Sequence, residues 1–190
     1  MKLQKICVFC GGKVGKNVSY ENVARRLGVL LAKNNIQLIY GAGNTGLMKF
    51  IASNCKSNGG YVVGFTIREL FDLERPDLTK EEYLNELHIY SKLSIRKFSM
   101  ISKADVFCVL PGGLGTIDEI SELMVLKQLG IIKKPIIIVN INNFFTPFYK
   151  LLKHLAKEGF LSVKVLRLLT IVNDVEDVIP QSEKELMANE

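Results

Sequence analysis

The stretch from residue 104 to residue 120, Ala-Asp-Val-Phe-Cys-Val-Leu-Pro-Gly-Gly-Leu-Gly-Thr-Ile-Asp-Glu-Ile, constrains the fold of this chain more than any other. Its apolar run at 106–110 is rich in β-branched and aromatic residues and short enough for a parallel strand buried on both faces. Pro111-Gly112-Gly113-Leu114-Gly115 cannot prolong that strand, because proline lacks the ladder donor and glycine opens backbone angles closed to other residues. Thr116-Ile117-Asp118-Glu119 then has the Ser/Thr-x-x-Glu spacing of a helix capping box, followed by apolar Ile120, Leu123, Met124 and Leu126. Strand, glycine loop and helix start in succession aim free backbone N–H groups and a helix dipole at one point, which suits an anion. This stretch is read as the ligand site.

The same grammar recurs before it. A strand over 5–10 ends in Gly11-Gly12-Lys13-Val14-Gly15-Lys16, and Ser19 is expected to cap a helix through Val23, Leu27, Leu30 and Leu31. Asn34-Asn35 ends that helix, and a second strand over 36–40 runs into Gly41-Ala42-Gly43-Asn44-Thr45-Gly46 and a helix through Leu47, Met48, Ile51 and Ala52. Gly59-Gly60 breaks it before a strand over 61–65. The G-x-G-x-x-G at 41–46 is a weak signal alone, and no acidic residue stands about 20 positions later at a strand end, so a dinucleotide site is not supported.

From 66 to 90 the pattern loosens into a mixed-charge segment, with a further capping box at Thr79-Lys80-Glu81-Glu82 and a brief strand over 87–90. A helix over 91–103 is expected to turn Leu93, Ile95, Phe98 and Ile101 mostly inward. Residues 120–130 are apolar on more than one face, which predicts a homodimer interface there. Strands over 135–140 and 168–172, a helix over 144–159 and a last helix capped by Asp174 complete the chain. The expected architecture is α/β: a Rossmann-like, doubly wound parallel sheet with helices on both faces, one domain over 1–190, glycine loops at the carboxyl edge.

Composition removes several function classes. The 190 residues carry a formal charge of +6, which favours acidic ligands, yet Lys and Arg are scattered and tryptophan is absent, so no nucleic-acid surface is expected. Apolar runs fall far short of the ~20 residues that span a bilayer, and the start lacks a signal-peptide pattern, so no membrane is expected and the cytoplasm is the default. Cys7-Val8-Phe9-Cys10 matches C-x-x-C, but residues three apart in a strand face opposite sides, and with only His88 and His154 available no metal set emerges. The four cysteines read as reduced and buried.

Residues 111–119 match P-G-G-x-G-T-x-x-E, a signature of the LONELY GUY family of cytokinin riboside 5'-monophosphate phosphoribohydrolases, often mislabelled lysine decarboxylases. The chain also resembles that family at Cys7-Val8-Phe9-Cys10-Gly11, at Tyr40-Gly41-x-Gly43-Asn44-x-Gly46-Leu47-Met48, at Arg96-Lys97 and at Gln128-Leu129-Gly130. The resemblance implies a cofactor-free, Rossmann-like homodimeric enzyme of cytokinin biosynthesis. It would hydrolyse a nucleoside 5'-monophosphate to free base and ribose 5-phosphate. By the same resemblance Arg96 and Glu119 fall at catalytic positions, Lys97 and Gly112, Gly113, Gly115 and Thr116 contact the nucleotide, and Glu74 falls near a further substrate-binding glutamate. The chain departs from the family's usual pattern at Lys92-Leu93-Ser94-Ile95 and Val125-Leu126-Lys127, which leaves the base open between cytokinin type and plain adenine.

The residue chemistry agrees. Glycosidic cleavage develops positive charge on the ribose, which a carboxylate such as Glu119 stabilises or answers by orienting water. Arg96 could clamp the phosphate or assist the leaving base. Two plainer readings stand beside these: Glu119 as the capping-box carboxylate, and Arg96-Lys97 as a solvated helix face. A non-catalytic nucleotide or cofactor carrier on the same fold is the competing function. A pyridoxal-phosphate decarboxylase would need a Schiff-base lysine and a pyridinium partner that the sequence does not present.

Overall fold

The computed structural model describes residues 2–74 and 83–188, the side chains of 72–74 excepted. Seven parallel strands form one sheet: β1 (Lys5–Phe9), β2 (Gln37–Tyr40), β3 (Val62–Ile67), β4 (Glu86–Tyr90), β5 (Val106–Val109), β6 (Ile136–Val139) and β7 (Thr170–Val172), in spatial order β4-β3-β2-β1-β5-β6-β7. The order reverses between β1 and β5, which is where a doubly wound sheet opens a crevice at the carboxyl ends of its strands.

Alternation along the strands builds two cores. Ile6, Val8, Leu38, Tyr40, Val106 and Cys108 face one side, while Cys7, Phe9, Ile39, Phe65, Phe107 and Val109 face the other. Cys7 and Cys10 therefore lie on opposite faces, and all four cysteines are free and buried. The first core is covered by α1 (Val18–Lys33), α2 (Gly46–Ser57) and α7 (Val178–Ala188), the second by α4 (Leu93–Lys103), α5 (Leu114–Gln128) and α6 (Thr146–Lys157). Gly28 lets α1 and α2 close up, since a Cβ there would sit 2.5 Å from the Ile51 carbonyl oxygen.

The α/β class, the parallel pairing and the helices on both faces match the sequence expectation, with strand ends shifted by a residue or two. Several local expectations do not hold. Asn17, not Ser19, caps α1, its side chain accepting a hydrogen bond from the Ser19 amide at 3.0 Å. The loose segment after β3 begins with a short helix, α3 (Arg68–Glu74), that mixed charge had concealed, and the capping box at 79–82 lies outside the described residues. Asp174 caps a 3₁₀ turn (Val175–Asp177) that runs into α7.

In α4 the residues turned inward are Arg96, Met100 and Ile101, while Leu93, Ile95 and Phe98, the last 71% exposed, face solvent. In α5 only one side is buried, by Ile120, Leu123 and Met124, and Val125 and Leu129 are exposed. The two helices thus leave neighbouring apolar surface uncovered in the single chain.

Candidate active site

Three loops meet at the crevice. Gly11 at the end of β1 donates its amide to the Pro111 carbonyl at 3.0 Å, and its own carbonyl accepts from the Leu47 amide at the start of α2 at 2.9 Å. The Thr45 hydroxyl donates to the Gly12 carbonyl at 3.0 Å. Two glycines make this knitting possible. Gly46 has φ +57°, and a Cβ there would lie 2.2 Å from the Gly12 carbonyl carbon; one on Gly112 would lie 2.1 Å from Thr116 Oγ1. Gly113 and Gly115 differ, because a Cβ on either meets nothing within 4 Å. Their missing side chains are not required by packing; they leave open space over the start of α5.

That start is bare. α5 begins after Gly113, which supplies no side-chain cap, so the amides of Leu114, Gly115 and Thr116 have no helical carbonyl to bond. The expected capping box is corrected here: the helix opens earlier than Thr116, which is buried inside the first turn against Gly112, and Glu119 lies in the second turn. Glu119 is thereby released from the plainer of its two readings.

A cleft of about 600 Å³ opens over these groups, lined by Gly11–Gly15, Tyr20, Met48, Phe144 and the glycine loop of β5. Arg96, Gly112, Gly113, Gly115, Thr116 and Glu119 all line it. Arg96 reaches it from α4 with its side chain only 8% exposed, fixed by Nε donating to the Phe65 carbonyl at 2.8 Å. Its Nη2 stands 3.9 Å from Glu119 Oε1, and the Glu119 side chain is 12% exposed. Burial pushes the Glu119 carboxyl up to about 7, with Asp118 and Glu122 adding to the rise and Arg96 and Lys97 opposing it. A carboxyl poised there is suited to proton transfer or charge stabilisation at neutral pH.

Lys97 is not among the cleft's lining residues. Its ammonium sits between two carboxylates of α5, 2.8 Å from Asp118 Oδ2 and 2.7 Å from Glu122 Oε2, with the side chain 14% exposed. Glu74 closes α3, and its side chain lies outside the described residues. Sequence reasoning passed over Gly41. A Cβ there would lie 2.5 Å from Arg96 Nη2, so only glycine lets the guanidinium lie against the β2 loop. The available signal was the glycine-rich loop itself, which resembled a phosphate cradle and acts in part as space for an arginine.

The family model described as "Possible lysine decarboxylase" matches residues 48–182. The chain is 33% identical to the cytokinin riboside 5'-monophosphate phosphoribohydrolase LOG1 of Arabidopsis thaliana, over 96% of this chain and 87% of that one. It is 32% identical to the enzyme of the same name, LOG, from Oryza sativa subsp. japonica, over 98% and 78%. The chain belongs to the LONELY GUY family. Among solved structures, the Moco carrier protein of Chlamydomonas reinhardtii superposes with a TM-score of 0.69 at 20% identity, covering 100% of each chain. The molybdenum cofactor binding protein of Rippkaea orientalis gives 0.68 at 20%, over 97% and 98%. At such identity these two establish the LONELY GUY-type fold and nothing further.

Proposed function

We propose that this protein hydrolyses the N-glycosidic bond of a purine nucleoside 5'-monophosphate, of cytokinin type or AMP itself, releasing the base and ribose 5-phosphate. The observation that carries the reading is the buried Glu119 carboxyl, held near neutrality and facing Arg96 at 3.9 Å beside the uncapped start of α5. The relatives named as phosphoribohydrolases support it at 30–33% identity along 96% of the chain.

The 5'-phosphate takes the amides of residues 112–116, where the helix dipole favours a dianion and no side chain crowds it. With the phosphate fixed there, the ribose lies towards Glu119. The C1'–N bond breaks with its electron pair going to the base, and the ionised carboxylate stabilises the oxocarbenium-like ring. Water adds to C1' as Glu119 accepts its proton, which then passes to the departing base and restores the carboxylate. Arg96 supplies fixed positive charge to the phosphate or the departing base. Glu74 is assigned a substrate contact by resemblance alone.

The working unit is one domain assembled as a homodimer, supported by the exposed apolar residues Phe98, Val125 and Leu129 on α4 and α5. Four reduced thiols fit the cytoplasm. Among the described residues no helix is long and apolar enough to cross a membrane. The names of the two solved neighbours suit a non-catalytic carrier, but they bear on the fold, whereas the relatives that align at 30% or better are named as enzymes. Base release by the native protein beside Glu119→Gln separates the two readings, since a carrier releases none from either. The enzyme predicts that nucleotide still binds while base release falls roughly 10²–10³-fold; unchanged turnover would remove Glu119 from the mechanism.

A further inference from the structure

Arg96 and Glu119 approach each other from different helices, and each is followed or preceded in sequence by a member of one ion cluster. Lys97 adjoins Arg96 on α4, and Asp118 adjoins Glu119 on α5, with Glu122 one turn further. The Lys97 ammonium touches both carboxylates, at 2.8 and 2.7 Å, and is largely shielded from solvent.

We propose that Lys97 is a positioning residue: by bridging Asp118 and Glu122 it ties α4 to α5 and so sets Arg96 against Glu119. This rests on the phosphoribohydrolase reading of the cleft. The geometry argues against a free ligand-binding lysine, since its short contacts are to carboxylates outside the cleft. Burial alone would lower the pKa of Lys97, but its bonds to Asp118 and Glu122 more than offset that, and it stays charged. A misplacement of even 1 Å between groups that must converge on one reacting carbon is costly to turnover. The cluster also sets the field at Glu119, which sees Arg96 and Lys97 from α4 and Asp118 and Glu122 from α5, and which itself acts on the thiols of Cys7 in β1 and Cys10 just after it.

The test is base-release kinetics on AMP across pH, together with carboxyl ¹³C NMR titration of Glu119, in Lys97→Met, Lys97→Arg and Asp118→Asn. Lys97→Met should lower kcat about tenfold with KM within about twofold. It should also raise the Glu119 midpoint, because a positive charge is lost beside two remaining carboxylates. Lys97→Arg should restore most of the rate. Asp118→Asn, at an exposed position and so a safeguard if Lys97→Met does not fold, should also lower kcat but move the midpoint down. A large rise in KM for Lys97→Met with an unmoved midpoint, or full activity in Asp118→Asn, would overturn the proposal. The NMR arm reads the cluster even if the native protein releases no base, so failure of the activity and failure of the clamp remain distinct.

Discussion

Helices α1 and α5 both start at the carboxyl edge of the sheet and both border the cleft, α1 through Tyr20 and α5 through Gly113 and Thr116. They end their backbones differently. Asn17 closes the first turn of α1 with a side-chain bond to the Ser19 amide, whereas α5 opens on Gly113 with no side-chain cap. A cap satisfies orphan amides and contributes about 1 kcal/mol. Its absence leaves those amides for something else. The comparison teaches that one helix start satisfies its own amides and the other leaves them open, as the phosphate site proposed there requires.

The sharpest break of that contrast is at the acid in the second turn of α5. The folded pKa of Glu119, about 7, lies above its ordinary value of 4.5, so its support for folding is present below the ordinary value and lost as pH rises through 7. Glu119→Gln should therefore stabilise the fold at pH 8 by roughly 2 kcal/mol, with no gain near pH 4, while turnover falls roughly 10²–10³-fold. Urea unfolding at the two pH values checks the sign. In the native enzyme, kcat/KM should climb through about pH 7 as the carboxyl ionises, a limb that a pH–rate profile would show missing if Glu119 acted as an acid.

A smaller effect tests the bare helix start itself. Gly113 has room for a side chain, so Gly113→Ser would place a capping hydroxyl where the phosphate should bind. KM should rise about tenfold, the loss of roughly one charged hydrogen bond, with stability unchanged or slightly improved. A KM like that of the native enzyme would place the phosphate elsewhere. At α1 the result should invert: Asn17→Ala should cost about 1 kcal/mol in thermal unfolding and leave kcat and KM within about twofold.

Much of the fold was legible because strand–glycine–helix repeats encode a parallel sheet locally, and the family resemblance pointed to Glu119 in the signature and to Arg96 upstream of it. What misled was local chemistry at places where tertiary packing overrides it. Thr116-x-x-Glu119 has capping-box spacing, but the helix starts before it, at a glycine that rules of helix stability would not choose. In α4, apolarity placed Leu93, Ile95, Phe98 and Ile101 inside; Ile101 is buried, but the other three are exposed and Arg96 is buried instead, held by the Phe65 carbonyl and accommodated by Gly41. No periodicity rule buries an arginine in preference to a phenylalanine. The start of α3 was hidden by charge that suits a short, half-solvated helix as well as a loop.

The central claim, that α5 holds a phosphate while Glu119 cleaves beside it, is tested most directly by assaying free base by HPLC. AMP and isopentenyladenosine 5'-monophosphate would be offered beside the corresponding nucleosides. The account predicts base from the monophosphates and essentially none from the nucleosides. Equal release from the nucleosides, or no release by folded protein that binds the nucleotide, would contradict it.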